Sequence, residues 1–487
     1  MIIRESQADV VIPVTFTMKI IVPSGTMIQS LTLLIVLLLF EVRGNYFQSN
    51  AKKDDQCFCQ LKGSIDDCSC NVDTVDYFNN IRIYPRLQSL LVRDYFRFYK
   101  INLKQECPFW IDDSQCAIRY CHVQPCQDKD IPDGLKGDML RNIHFNESPF
   151  DKYKSDFQLD DCIHSNDYNK ELGYLNTTIS LENYKDFELW KQYDDAQDNF
   201  CVKESTPGEY VDLLLNPERY TGYKGPSAHR IWRSIYLENC FRPENSPHNF
   251  IQSSKINGMC LEKRVFYRVI SGLHASINIH LCSKYLLSQE ALAISPGGQW
   301  GPNLVEFQQR FSPETSGGEG PNWLKNLYFT YLLELRALAK AAPYLQREEY
   351  YTGNRIEDKD TRLAIDDIMN VVKSFPDHFN ESVMFNGGVE AKLLKEEFRQ
   401  HFRNISRIMD CVGCDKCKLW GKLQIHGLGT ALKILFSGKF DRWEPTLNNM
   451  NRKQFFLERS EIVALVNAFG RLSESIFELD KFRQMMR

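Results

Sequence analysis

The sequence predicts a mainly α-helical protein. It reads as one large domain around a helical bundle, with a small disulfide-stapled hairpin towards the N-terminus and flexible loops that carry cysteines. Three observations predict this. Apolar residues recur at three- and four-residue steps, most clearly Ile462, Leu465, Val466, Phe469, Leu472, Ile476 and Leu479. Strand signals are few, short and confined to the region before Cys107. The 16 cysteines among 487 residues gather largely in three clusters. That number is too small for a disulfide mini-scaffold and large for a cytosolic enzyme.

Composition excludes several classes. With 43% hydrophobic and 25% charged residues, the chain can bury one large core or two domains. Its 59 basic residues nearly balance 63 acidic ones, so there is no electrostatic case for a nucleic-acid partner. Repeated apolar runs of about 20 residues are absent, which argues against a multi-pass membrane protein.

Taken in order, residues 1–44 read as a signal-peptide region with an N-terminal extension upstream of Met18 or Met27. Leu31 to Phe40 is apolar apart from Thr32, the length of a signal h-region and short for a membrane span. A buried core helix is the alternative, but such a helix would not lead directly into Asp54-Asp-Gln-Cys57. Sequons at Asn146, Asn176, Asn380 and Asn404 agree with secretory entry. The terminal Gln484 to Arg487 is not a retention signal of the KDEL type.

Residues 45–106 form the stapled segment. Cys57-x-Cys59 and Cys68-x-Cys70 favour nested pairs, Cys57–Cys70 and Cys59–Cys68, because bridging neighbours one residue apart strains disulfide geometry. Zinc is the rival reading. Residues 107–200 carry Cys107, Cys116, Cys121, Cys126 and Cys162 in a polar, Asp-rich stretch with little periodicity. Structural disulfides do not need such crowding. Thiol–disulfide exchange does, since a thiolate must reach a neighbouring disulfide sulfur.

Residues 201–487 are the helical core. Phe266–Leu287, Leu324–Leu345 and Thr430–Phe436 have the apolar spacing of buried helices, and bundle core is the reading for each. Within this part lies Cys411-Val-Gly-Cys414-Asp-Lys-Cys417. A helix would put all three sulfurs on roughly one face. A C-x-x-C pair near a helix start, with Lys416 and Lys418 beside it, favours a reactive thiolate. A zinc knuckle is the alternative, weakened by the lack of a spaced fourth ligand.

These clusters, with the stretches between them, resemble the ER oxidoreductins, flavin-dependent thiol oxidases that reoxidise protein disulfide isomerase. The likeness is carried by Cys107-Pro-Phe-Trp110 leading into Cys116-x4-Cys121-x4-Cys126, and by Tyr210 to Pro226. Ser271-Gly-Leu-His274 through Asn278, Glu306-Phe-Gln-Gln-Arg310-Phe311 and Cys411-Val-Gly-Cys414 add to it. It spans almost the whole mature chain.

The resemblance implies a two-disulfide relay. Cys116–Cys121 would take electrons from reduced disulfide isomerase, and Cys414–Cys417 would be the inner pair beside FAD. Cys116 bridged to Cys162 and Cys121 bridged to Cys126 would hold the shuttle off. Cys107–Cys411 and Cys240–Cys260 would be structural. Cys201 and Cys282 are left over and read as free thiols, a bond between them being the alternative.

The resemblance also places FAD in the helical bundle, held by Arg219, Thr221, Trp232, Ser271, His274 and Arg310, with no metal. Ser316-Gly-Gly-Glu-Gly320 does not follow a strand and lacks the G-x-G-x-x-G spacing, so a Rossmann domain is not expected. Trp323 stands in Gly320-Pro-Asn-Trp323, where the pattern would have a phosphate-binding arginine. Molecular oxygen would be the electron acceptor and the ER lumen the compartment, with at most peripheral association with the lumenal membrane face.

Two other classes compete. A secreted, disulfide-stapled binding protein without cofactor would purify colourless. A zinc-dependent lumenal hydrolase lacks H-E-x-x-H and has only ten histidines to draw on.

Overall fold

The computed structural model describes residues 72–107, 109, 122–138, 208–218, 225–239, 260–288, 299–375, 381–385, 389–437, 455 and 457–487. The chain divides into a unit of residues 1–56 and one of 57–487, and the described residues all belong to the second. The predicted leader and the stapled Cys57–Cys70 and Cys59–Cys68 hairpin lie outside them.

The described residues are mostly helical, as expected. In chain order they form α1 (Val72–Tyr77), a π-helical turn (Phe78–Ile83), α2 (Tyr84–Leu91), α3 (Asp94–Arg97), β1 (Phe98–Ile101) and β2 (Glu209–Asp212). Then come α4 (Gly225–Glu238), α5 (Cys260–Ser283), β3 (Tyr285–Ser288), β4 (Gln299–Gly301), α6 (Leu304–Phe311) and α7 (Gly320–Leu345). The last are α8 (Arg355–Lys373), α9 (Val389–Met409), α10 (Asp415–Phe436) and α11 (Arg459–Met485).

Local chemistry sets several ends. Asn354 caps α8 by accepting from the amides of Ile356 and Glu357, and Asn303 caps α6 through Glu306. Glu458 and Glu461 form a capping box at the start of α11.

The core is a bundle in which α11 is central. Helices α10 and α11 run antiparallel: Lys433 meets Glu461 at 2.8 Å, and Gly427 lies against Ala464 and Ala468. A Cβ at Gly427 would stand 2.4 Å from the Ala464 carbonyl oxygen, so only glycine permits this approach. Helices α5 and α7 meet as closely, since a Cβ at Gly272 would lie 2.4 Å from the Asn326 carbonyl oxygen. Leu327, Leu333, Ile425, Leu432, Leu465 and Phe469 are almost fully buried between these helices. They belong to a larger apolar core whose burial drives the fold.

Residues 72–101 are built into this bundle. Asn79 Nδ2 donates to the Ser473 carbonyl at 2.9 Å, Asn467 Nδ2 to that of Phe96 at 2.9 Å, and Arg459 to that of Phe98 at 2.7 Å. β1 pairs antiparallel with β2, Phe98 opposite Asp212 and Ile101 opposite Glu209.

Two expectations need correction. Strands are not confined to the region before Cys107, because β2, β3 and β4 all follow it. The helix expected over Phe266–Leu287 ends at Ser283, and Tyr285 to Leu287 enter β3, paired with β4. An apolar run at a helix end does not reveal by periodicity where the strand begins. Among the described residues no helix is long and apolar enough to cross a membrane.

Candidate functional site

The thiol centre is built where α10 begins. Cys414 is the N-cap, and its sulfur accepts a hydrogen bond from the Cys417 amide at 3.4 Å. Both residues are buried, at 1% and 0% exposure. Cys411 stands in the turn after α9, its amide bonded to the Ile408 carbonyl. The expected single helical face of three sulfurs is therefore not formed, because the helix starts only after Cys414. A sulfur at an N-cap faces the unpaired amides of the first helical turn. Lys416 and Lys418 are buried rather than displayed, and Lys418 Nζ donates to the Leu103 carbonyl at 3.3 Å.

Cys411 is bridged to Cys107, 304 positions away in the sequence, with their Cα atoms 4.5 Å apart. The bond ties the strand-end segment that leads towards Cys116 and Cys121 to the start of α10. On the far side of those cysteines the chain returns to the same place. His122 Nδ1 lies 3.5 Å from Asp415 Oδ2. Behind it Val123 is buried, Gln124 exchanges hydrogen bonds with Asn216, and the Cys126 amide donates to the Tyr210 carbonyl at 2.8 Å. Cys116, Cys121 and Cys162 lie outside the described residues.

Cys126 is a partly buried free thiol. Burial and the Asp212 and Asp130 carboxylates push it up to about 11, against the hydrogen bond it receives from the Asp212 amide and the nearby Arg97. At neutral pH it is a protonated, poorly nucleophilic sulfur. Arg97 pairs with Asp212 and fixes that carboxylate in place.

A second constellation sits on α4, α5 and α6. The Trp232 indole stacks on the His274 imidazole, centroids 3.6 Å apart and 14° between planes. The Tyr236 hydroxyl meets His274 Nδ1 at 3.3 Å and also bonds Ser271. Ser271 Oγ accepts from Asn326 Nδ2 at 2.9 Å, and Arg268 Nε donates to Asn326 Oδ1 at 3.0 Å. Arg310 Nε and Nη2 donate to Glu306 Oε1, and Nη1 donates to Asn278 Oδ1 at 2.7 Å. These bonds use three of the five guanidinium N–H groups and aim the rest.

The segment before Arg219 and Thr221, which lie outside the described residues, is pinned to the bundle. Trp420 Nε1 donates to the Asn216 carbonyl at 2.9 Å and Arg471 Nη2 to Glu218 Oε2 at 2.7 Å.

The expected set of Trp232, Ser271, His274 and Arg310 thus falls on three adjoining helices. Sequence reasoning missed Tyr236, Asn278, Asn326 and Glu306, which orient them. The available signal was spacing: Tyr236 and Asn278 stand four residues after Trp232 and His274 on the same helices. This donor set, an aromatic platform with hydroxyls and a held guanidinium, fits a flavin dinucleotide. Trp323 is 37% exposed in the first turn of α7, whose first residue, Gly320, abuts Phe311 next to Arg310.

Other expected positions separate. Cys282 is fully buried on α5. Cys260 opens α5, while Cys201, Cys240, Asn146, Asn176 and Asn380 lie outside the described residues. Asn404 does not suit a glycan: it is 3% exposed within α9, where its side-chain carbonyl accepts from Gln400 at 3.0 Å.

Burial makes the site region acid-sensitive. It lowers His274, with Arg310 adding to the effect, to about 3, and lowers His280 to about 4 against Glu474. His280 is also faced by Lys284, and its Nε2 meets the Arg471 carbonyl at 2.9 Å. The unfolded chain protonates each imidazole below its ordinary 6.5, the folded chain only far lower. Their contribution is therefore complete above 6.5 and lost as pH falls towards 4. On α9 the effects oppose each other, because burial lowers His401 to about 3 but raises Glu397 to about 7. The buried Glu334, raised well above the ordinary carboxyl range, opposes the histidines as well, so the readout is the share of one imidazole. Between pH 7 and 5, His280 should take about 2 kcal/mol from the unfolding free energy. Urea titrations of the parent and His280→Gln at the two pH values check this, and an equal change in both would refute it.

The comparisons with known proteins agree with this geometry. The family model described as Endoplasmic Reticulum Oxidoreductin 1 matches residues 82–479. An Ero1-like protein of Drosophila melanogaster is 53% identical over 474 residues, covering 94% of this chain and 97% of its own. The ERO1-like protein alpha of Homo sapiens is 49% identical over 455 residues, covering 89% and 92%. A solved structure of Ero1p, described as a source of disulfide bonds for oxidative protein folding in the cell, is 27% identical with a TM-score of 0.54, covering 85% of this chain and 98% of its own. A double cysteine-to-alanine mutant of S. cerevisiae Ero1p is 29% identical with a TM-score of 0.53, with the same coverage. The chain belongs to the endoplasmic reticulum oxidoreductin 1 family, oxidoreductases of the ER that serve oxidative protein folding.

Proposed function

We propose that the chain is a thiol oxidase of the ER lumen that oxidises reduced protein disulfide isomerase and related thioredoxin-like proteins. Cys116–Cys121 is the outer pair that meets the isomerase, and Cys414–Cys417 is the inner pair. A bound FAD would supply the two-electron chemistry that links the inner dithiol to molecular oxygen, with hydrogen peroxide as the product. Cys126 and Cys162 regulate by bridging Cys121 and Cys116.

The observation that carries this reading is the Cys107–Cys411 bridge. Electrons pass between two thiol pairs only through direct sulfur contact. The bridge fastens the entry to the outer-pair segment at the residue three before Cys414, leaving that segment a short tethered search.

The residues would divide the work as follows. Trp232 and His274 offer a stacked face for a planar ring, and Tyr236 and Ser271 offer hydroxyls at its edge. Arg310 and Arg219 would supply charge for the phosphates, and Thr221 a further hydroxyl. His274 is neutral at neutral pH, so this platform adds no charge of its own. Trp323, in place of an arginine, would cover the phosphate end by packing.

The energetics favour an oxidase over an isomerase. Disulfide isomerase sits near roughly −180 mV, and each ~30 mV is about 1.4 kcal/mol for two electrons. A thiol pair at that potential cannot drive net oxidation without a stronger acceptor.

The test is the absorption spectrum of the purified protein, followed by oxygen uptake with reduced disulfide isomerase. A flavin band near one per chain and uptake that yields peroxide are expected. A colourless, folded protein would overturn the proposal.

A further inference from the structure

We infer that Arg268 is a positioning residue: through Asn326, Ser271 and Tyr236 it sets the direction of a hydrogen-bond chain that keeps the proton of His274 on Nε2. The use of that proton rests on the flavin reading above, whereas the chain itself does not.

The direction follows from what each group can give. A guanidinium has donors and no acceptor. Arg268 is 4% exposed and lies over the Phe329 ring at 4.1 Å, and its Nε donates to Asn326 Oδ1 at 3.0 Å. The Asn326 amide is thereby turned so that Nδ2 faces Ser271 Oγ, to which it donates at 2.9 Å. A hydroxyl that accepts there directs its single proton elsewhere, and Ser271 gives it to the Tyr236 oxygen. Tyr236 keeps its own proton for His274 Nδ1, 3.3 Å away. An imidazole whose Nδ1 accepts carries its proton on Nε2 when neutral. Burial, with Arg310 adding to the effect, lowers His274 to about 3, so it is neutral at pH 7.

The frame around the chain is rigid. It crosses from α5 to α7 beside Gly272, where only glycine fits against the Asn326 carbonyl, so Asn326 is held across from Ser271. Stacking on Trp232 at 3.6 Å fixes the plane of the His274 ring. With plane and proton both fixed, His274 can give a hydrogen bond at Nε2 and cannot accept one there. It suits an acceptor atom of a flavin dinucleotide, because a donor facing a donor forfeits its bond. Arg268 acts on this through the three side chains between them.

The experiment reverses the chain without emptying it. Asn326→Asp keeps the shape of the side chain but places acceptors at both ends, so the carboxylate accepts from Arg268 and from Ser271. Ser271 then accepts from Tyr236, and Tyr236 from an Nδ1 proton of His274. Long-range proton–nitrogen NMR spectra of the full chain with isotope-labelled histidine, at pH 7, report which ring nitrogen is protonated. The His274 signals are identified by their absence in His274→Gln.

The parent should carry the proton on Nε2. In Asn326→Asp the ratio of the Nε2–H to the Nδ1–H form should fall at least about tenfold, the size of one opposed buried hydrogen bond. Arg268→Met, which frees the amide to turn, should lower the ratio severalfold, and Arg268→Lys, again a donor without an acceptor, should retain it. Flavin release on dilution, followed by the fluorescence of the freed flavin, should quicken about tenfold in Asn326→Asp and stay within about twofold in Arg268→Lys. An Nε2 proton that persists in Asn326→Asp would overturn the chain. An unchanged ratio in Arg268→Met, or one lost in Arg268→Lys, would overturn the role of Arg268. A reversed tautomer with unchanged flavin release would overturn the donor role of His274. A parent that purifies colourless would instead overturn the flavin reading, with the tautomer ratios still deciding the chain.

Discussion

Cys414→Ala is expected to leave a folded, flavin-containing protein whose oxygen uptake with reduced disulfide isomerase falls by at least about a hundredfold. The fold should survive because α10 is held by its packing on α7 and α11 rather than by its cap. Losing the cap costs about 1 kcal/mol. The flavin should remain because Trp232, His274, Ser271 and Arg310 belong to α4, α5 and α6, which the substitution does not touch. Uptake should be lost because a lone Cys417 cannot close a disulfide with its neighbour. The outer pair then has no inner disulfide to reduce, and electrons from the isomerase stop there. Cys417→Ala should be equally inactive, while leaving Cys414 able to capture Cys121 as a stable mixed disulfide. Uptake unchanged in both variants would mean that electrons reach oxygen by another pair, and the assignment of the inner centre would be wrong.

The helical core was legible because it obeys one local rule. The apolar spacing in Ile462–Leu479 and Leu324–Leu345 is read from the sequence with no knowledge of partners, and both segments are bundle helices in the structure. β3 was not legible. Tyr285-Leu-Leu continues the apolar run of α5, and only pairing with β4, more than ten residues further on, makes it a strand. The same contrast holds at the site. Cys414-x-x-Cys417 announces itself by spacing, yet the spacing does not tell that Cys411 stays outside the helix and is bonded to Cys107. Trp232 and His274 carried no signal of their own, since an aromatic and a histidine on apolar helices usually mean core. Their stacking needs α4 and α5 to meet, a tertiary event that no window of sequence contains. The contact of His122 with Asp415 is further still from local rules, since it joins residues 293 apart.

Removing the Cys107–Cys411 bridge, as Cys107→Ser with Cys411→Ala, should lower the free energy of unfolding by about 3–6 kcal/mol. The upper figure is the chain entropy released when a loop of 304 residues is no longer closed in the unfolded state. The lower figure allows for residual compactness of the denatured chain, which already brings distant segments together. In the folded state the joint has other support. Tyr99 hydroxyl meets His426 Nδ1 at 2.8 Å and Lys418 Nζ reaches the Leu103 carbonyl, so the strand end stays against α10. The native fold should therefore persist, with a secondary-structure signal like that of the parent and an earlier urea midpoint. Because the same bond shortens the search of Cys121 for Cys414, isomerase-driven uptake should also slow, whereas direct reduction of the inner pair by dithiothreitol should not. An unchanged midpoint would mean that the loop is closed by other bonds in the unfolded chain. Equal slowing with both reductants would mean that the bridge shapes the inner pair itself rather than the approach to it.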